Sequence, residues 1–375
     1  RSRLRADGAG SGFVEADAGI RRGATANTIV GTDGGQLSIK GGSLMLAGSA
    51  DVSGSANGGA ASFQSDGWLS FGMAVHASGA ERGGQVSVTS GGNASLAGAI
   101  VANGAAGSGG AVRIDVAGRS IDNGDFIVDA SGTIGGSIRY TAGRQLISSG
   151  AMRAAGTTTL GGTIDVTAPV MNLFGSQYLA TGATGGGQVR LGGEYQGGRN
   201  LSVDEVANAR VLTATDNTFV DVSATGADGT GGTAVIWSDE STTWYGKTVA
   251  MGGMVAGNGG LVEISGRDAL TWNGAVETAR GGQRGGTLLL DPRTIVVEDV
   301  QAATGATQYN LILQAFGGFY YADTFERVVE GGDHFGASVS LNGNRLAVGA
   351  PRDDGAAIDS APGPRDRGAV HLFTF

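Results

Sequence analysis

The chain has 375 residues, enough for one large or two medium domains, and 72 of them are glycine while none is cysteine. That composition excludes a disulfide scaffold and a zinc-cysteine site, and its glycine content falls well short of the one-third that a collagen repeat needs. With 25 Lys and Arg against 34 Asp and Glu, the formal charge is −9, which argues against a nucleic-acid or anionic-membrane binder. No apolar run approaches the roughly 18 residues of a membrane-spanning helix.

Arg1 to Gly12 has neither an initiator Met nor the apolar core of a signal peptide, so the chain reads as a fragment whose upstream part is missing. From there one pattern, Gly-Gly-x-aliphatic-x-aliphatic, returns along most of the sequence. It stands at Gly34-Gly35 with Leu37 and Ile39, at Gly83-Gly84 with Val86 and Val88, and at Gly109-Gly110 with Val112 and Ile114. Further copies begin at Gly135, Gly161, Gly186, Gly231, Gly259 and Gly285, with a degenerate one at Gly58. The step is 26 residues from 83 to 109, 135 and 161, and 24 to 28 elsewhere, except for a step of 45 from 186 to 231 that fits an extra coil or a large excursion.

A second word, an alternating strand ending in a small residue and a turn glycine, precedes many of the pairs, as in Val75 to Gly79 and Ile100 to Gly104. A third lies between, as in Leu44 to Gly48 and Ala94 to Gly98. Three short strands and three glycine-containing turns per unit describe one rung of a parallel β-helix. One rung closes no core alone; stacked rungs hydrogen-bond strand to strand and pile inward Val, Ile and Leu into columns. Ten or so rungs make a rod of roughly 50 Å. Glycine is expected to supply the positive-φ corners. A flexible Gly/Ser linker is the bland alternative, and aliphatic residues held at period two behind a recurring Gly-Gly argue against it. A calcium-loaded roll is disfavoured because its tandem nonapeptides are missing.

The segments Gly185 to Gly198 (GGGQVRLGGEYQGG), Val235 to Gly246 (VIWSDESTTWYG), Gly257 to Gly266 (GNGGLVEISG) and Gly285 to Val296 (GGTLLLDPRTIV) resemble, in this order, the filamentous haemagglutinin-like exoproteins of Gram-negative bacteria. The resemblance covers about residues 1–300. It implies a right-handed parallel β-helix, export by two-partner secretion through an outer-membrane pore protein, and a secreted or cell-surface role in adhesion or display. The secretion domain that the family requires is not recognisable in the chain.

Asp291-Pro292 is a natural exit from the rod, since proline cannot donate to a sheet ladder, and the β-helix is taken as residues 1–298 with about 10 to 12 rungs. Residues 299–325 read as a linker or cap, with Tyr309 to Phe316 apolar enough to cover an open edge. Residues 326–375 read as antiparallel β, with a hairpin turning at Asn342-Gly343. The words Gly332 to Gly336 (GDHFG) and Gly349-Ala350-Pro351, closed by Gly368 to Phe373 (GAVHLF), resemble one FG-GAP repeat, a blade unit of integrin-type β-propellers. Asp353, Asp354 and Asp359 are weak calcium candidates, with a solvated polar loop as the default. The fold expected is thus all-β, a right-handed parallel β-helix followed by a short antiparallel segment like a single propeller blade.

Chemistry is sparse. Gly246-Lys247-Thr248 echoes a phosphate loop, but Ser241 stands where its first glycine belongs. His76, His334 and His371 have no ligand-like spacing, and neither a nucleophile elbow nor a zincin word occurs. No cofactor is implied. Because β-helices also carry polysaccharide lyases and glycosidases, paired acids on the rod are candidate dyads: Asp204-Glu205 and Asp239-Glu240 point to opposite faces as neighbours in a strand, whereas acids stacked one rung apart, among Asp129, Asp165, Asp221 and Glu263, can face each other. Of the four tryptophans, Trp237, Trp244 and Trp272 make a glycan-stacking platform if they share an outward face, and pack the core or a corner otherwise. The reading is a non-enzymatic adhesin-type rod for host, glycan or biofilm surfaces; the alternatives are a carbohydrate-active β-helix enzyme and a structural matrix component. No host receptor is indicated.

Overall fold

The computed structural model describes residues 32–198, 206–280 and 284–293 in full, and the strands Ser2–Ala6, Phe13–Asp17, Ala24–Thr28, Ser338–Asn342, Arg345–Ala350 and Ala369–Thr374 as backbone. Among these residues every regular element is a strand except one 3-10 turn at Tyr195–Gly198. The architecture is a parallel β-solenoid. One sheet takes a single strand from each rung, eleven in all, from Phe13–Asp17 to Thr287–Leu289. At the ~4.8 Å spacing of paired strands this stack runs for about 50 Å.

The period-two alternation of the sequence decides which side chains point inward. In Gln85–Ser90, Val86, Val88 and Ser90 are buried while Gln85 and Thr89 are exposed. Parallel, in-register pairing then carries the same positions from rung to rung: Val86 pairs with Val112, Val112 with Ile138, and Ile138 with Ile164, while Val88, Ile114, Tyr140 and Val166 form the adjoining column. All eight are at most 2% exposed. The aliphatic positions of the Gly-Gly repeat are therefore the core of the rod.

A second sheet covers the other side. In the early rungs it contributes one long strand, such as Leu44–Asp51, Leu69–His76 and Ala94–Val101. From Arg119–Asp122 onward each rung splits it in two, and both halves, Arg119–Asp122 and Ile127–Asp129, pair with Ala94–Val101. The junction falls near Gly98, whose φ of +83° is left-handed. The third side is mostly turns, joined by isolated bridges such as Gly79 to Gly104 and Gly132 to Gly156.

The repeated glycine pairs have a different physical reason from the one expected. None of them has a positive φ; the left-handed glycines are others, Gly48, Gly98, Gly175 and Gly257 among them. What excludes a side chain is the neighbouring rung: a Cβ on Gly110 would lie 2.1 Å from the Gly84 carbonyl oxygen, and one on Gly136 2.1 Å from that of Gly110. The pairs mark where backbone packs on backbone.

The step of 45 residues is an excursion, not an extra coil. Gln188–Leu191 pairs directly with Thr233–Ser238, so the stack continues without a rung between them. Beyond the solenoid, Ser338–Asn342, Arg345–Ala350 and Ala369–Thr374 form a three-stranded antiparallel sheet. Its register pairs Asn342 with Arg345, so Asn342 belongs to the strand rather than to the turn. The expected linker or cap at 299–325 and the calcium candidates Asp353, Asp354 and Asp359 lie outside the described residues.

Candidate functional site

The feature that breaks the regularity of the rod is the strap formed by residues 192–209, of which 192–198 and 206–209 are described. Gly192 and Gly193, with φ of +74° and +154°, take the chain off the end of Gln188–Leu191. Gln196 and Gly197 turn it with φ of 52° and 66°. The strap closes where it opened, the Ala209 N–H donating to the Gly192 carbonyl at 2.8 Å.

It lies on the outward face of the eleven-stranded sheet. Val235, Trp237 and Glu263 occupy outward positions, yet they are 1%, 2% and 0% exposed. The Gln196 N–H donates to Glu263 Oε2 at 2.9 Å, and a Cβ on Gly197 would come within 2.5 Å of Trp237 Cζ2. Under the strap Arg190 donates to both oxygens of Asp165, at 2.7 and 2.8 Å, and to Glu194, whose Oε1 also accepts the Val206 N–H at 3.1 Å. Burial alone lowers the pKa of the Arg190 guanidinium, but the hydrogen bonds with Asp165 and Glu194 outweigh it and the net shift is upward. Arg190 therefore stays charged and ties the root of the strap to the preceding rung.

The three tryptophans do not share an outward face. Trp244 is fully buried in an inward column, stacked between Ala214 and Trp272, and Trp272 is half-buried one rung further along. Trp237 points outward but is sealed by the strap, its Nε1 donating to Asp239 Oδ1 at 3.2 Å. For Trp237 and Trp244 the structure thus gives core and cover packing, because an inward register in one case and a loop in the other removes the ring from solvent. Among the described residues the exposed Phe, Trp and Tyr rings are Trp68, Phe174, Tyr195 and Tyr245, at 41%, 47%, 41% and 40%.

The acids resolve similarly. Asp129 stacks on Arg153, Asp165 on Arg190, Asp221 on Val249, and Glu263 between Val235 and Leu289, so none of the four faces another acid one rung away. Asp239 accepts from Asn208 Nδ2 at 3.1 Å and meets Arg267 at 3.3 Å, while Glu240 pairs with Arg210 at 2.7 Å. Asp204-Glu205 and His334 lie outside the described residues, and of His371 only the backbone is described. His76 ends the exposed side of a strand, and Lys247 lies in strand Lys247–Val249 with Glu277 at 2.6 Å. Among the described residues no group of three or more His, Asp or Glu is placed to hold a metal ion.

One polar centre escaped the sequence reading. Asp122 points inward, 2% exposed, in a column that includes Leu96 before it and Ser148, Leu173, Ala214 and Trp244 after it. Its Oδ1 accepts from Ser148 Oγ at 2.9 Å and from the N–H groups of Ser149 and Gly150 at 3.0 and 2.8 Å, while its Oδ2 is buried without a hydrogen-bond partner. The hydroxyls of Tyr140, which is bonded to Ser120 Oγ at 2.6 Å, and of Tyr178 are also in the core. Burial pushes the Asp122 carboxyl up to about 6 against the opposing pull of the Gly150, Ser149 and Ser148 hydrogen bonds. Burial and the nearby Asp122 raise both tyrosines well above the ordinary phenol range. In Arg119-Ser120-Ile121-Asp122 the apolar residue is the one that faces out, Ile121 being 37% exposed. Only counting register from Ala94 and Leu96 reveals it.

Comparison with known proteins adds two findings. Residues 328–373 match the FG-GAP repeat family. Among solved structures, the secretion domain of HMW1 from Haemophilus influenzae is similar with a TM-score of 0.45 and 16% sequence identity, over 77% of this chain and 94% of that one. No curated protein sequence matches the chain.

Proposed function

We propose that the chain is part of a non-enzymatic, secreted or surface-displayed exoprotein, a rod of adhesin type that attaches to host, glycan or biofilm surfaces. The observation that carries this reading is the filled, ladder-paired solenoid: its inward columns are closed, so contact with other molecules falls to the outward side chains and loops. The four segments that resemble haemagglutinin-like exoproteins support it, and with them export of the parent chain through an outer-membrane pore protein. Against an enzyme stand Asp129, Asp165, Asp221 and Glu263, which stack on cations or aliphatic residues rather than on one another. Aromatic contact with a glycan falls to the exposed rings Trp68, Phe174, Tyr195 and Tyr245, with Trp272 partly available.

The test is saturable binding of the purified chain to glycan arrays and to cell surfaces, run beside reducing-end release from a polysaccharide panel. Binding weakened by Tyr195→Ala or Tyr245→Ala, without product release, is the expected result. Steady product formation abolished by Asp239→Asn or Glu240→Gln establishes an enzyme instead. Self-association with no binding to any surface points to a matrix component.

A further inference from the structure

We infer that the FG-GAP sheet at the C-terminal end of this chain serves as the cap of the solenoid, docking onto the last described rung. A solenoid covers each rung's core with the rungs before and after it, and its ends need a different cover. At this end the burial falls away. Val262 and Ile264 are fully buried, as is Trp244, whereas Leu288 and Leu290 in the next rung, with Trp272 and Val276, are only half-buried. Strand Thr287–Leu289 pairs with Leu261–Gly266 on one side and, among the described residues, has no ladder partner on the other. The end thus combines an apolar surface with an open strand edge, the combination that templates aggregation when left bare.

The occupant is in the same chain. Strand Ser338–Asn342 comes within 8 Å of Thr287–Leu289, Cα to Cα. Its sheet also has a mainly apolar face to place: the register sets Val339 beside Val348, and Leu341 beside Leu346 and Phe373, so that by the two-residue period these five positions fall on one face, with His371 beside Val348 as its polar member. In a propeller such a face packs on neighbouring blades. Here the solenoid end offers a surface of matching character, and docking covers both.

Because the chain has no cysteine, disulfide trapping in the full-length protein reads this contact directly. Leu288→Cys is combined with Val339→Cys, Leu341→Cys or Phe373→Cys under mild oxidation, with Ser70→Cys plus Leu341→Cys as the control pair. Docking predicts an intramolecular disulfide in at least one of the three and none in the control. The inference fails if none of the three closes, or if only dimers form with a yield that rises with concentration, which puts a second copy on the end. Hydrogen exchange supplies the second arm: Val348→Pro breaks the central strand of the sheet and is expected to speed exchange in Ala269–Trp272, Ala275–Glu277 and Thr287–Leu289 by at least about tenfold, leaving Gln85–Ser90 unchanged. Unaltered protection of the last rung overturns the proposal, leaving the intervening segment or no cap at all.

Discussion

At the scale of single residues, Asp122 and the paired glycines show how differently the same rod treats charge and volume. Asp122 binds its proton more firmly folded, near pH 6, than at its ordinary value of 3.8, so the stabilisation from this group is present below pH 4 and lost as the pH rises through 6. The difference corresponds to about 3 kcal/mol. Asp122→Asn keeps an acceptor for the Ser148, Ser149 and Gly150 donors and cannot ionise. The expected outcome is that wild type loses stability relative to the variant between pH 4 and pH 7, measured as urea midpoints at a series of pH values; parallel curves would show that Asp122 does not titrate in that window. For volume, Gly110→Ala forces a methyl against the Gly84 carbonyl and is expected to cost about 3 kcal/mol or more. Gly42→Ala, with nothing within 4 Å of its new methyl, leaves the melting temperature unchanged or slightly raised. Both glycines look alike in the sequence; the distinction lies in how near the next rung passes.

At the scale of elements, the strap is held by a buried charge cluster rather than by a ladder. Arg190→Leu leaves Asp165 and Glu194 buried without their cation, and the expected loss is about 3 to 5 kcal/mol, accompanied by faster proteolysis within residues 192–209 while the flanking rungs stay intact. Loss of stability without new cleavage in the strap would show that Arg190 supports the rungs alone. The aliphatic columns were legible from the sequence because alternation and the 24-to-28-residue step each encode them, and Leu37, Val86, Ile114 and Leu191 all lie where the repeat puts them. The strap was legible only as a gap in the period. What covers Trp237 depends on contacts between Gly197 and a residue forty positions later, and no local pattern records such a contact. The inward turn of Trp244 follows from register, which alternation in the four residues Ser241–Trp244 is too short to specify.

At the scale of the whole molecule, the solenoid, its strap and the C-terminal sheet divide the work of stability, surface and closure. The chain's charge of −9 adds a simple expectation: negligible retention on heparin or DNA columns at physiological salt, checked by the elution position. A further consequence follows from the orientation of the ladder. Hydrogen bonds between rungs lie along the rod's long axis, so tension applied end to end loads them rung by rung, in series, and frees some two dozen residues of slack at each rupture. A force-extension trace should then be a sawtooth of low, evenly spaced peaks, broken once by a longer step where the turn bearing the strap lets go. A rod built this way yields gradually under tension instead of snapping.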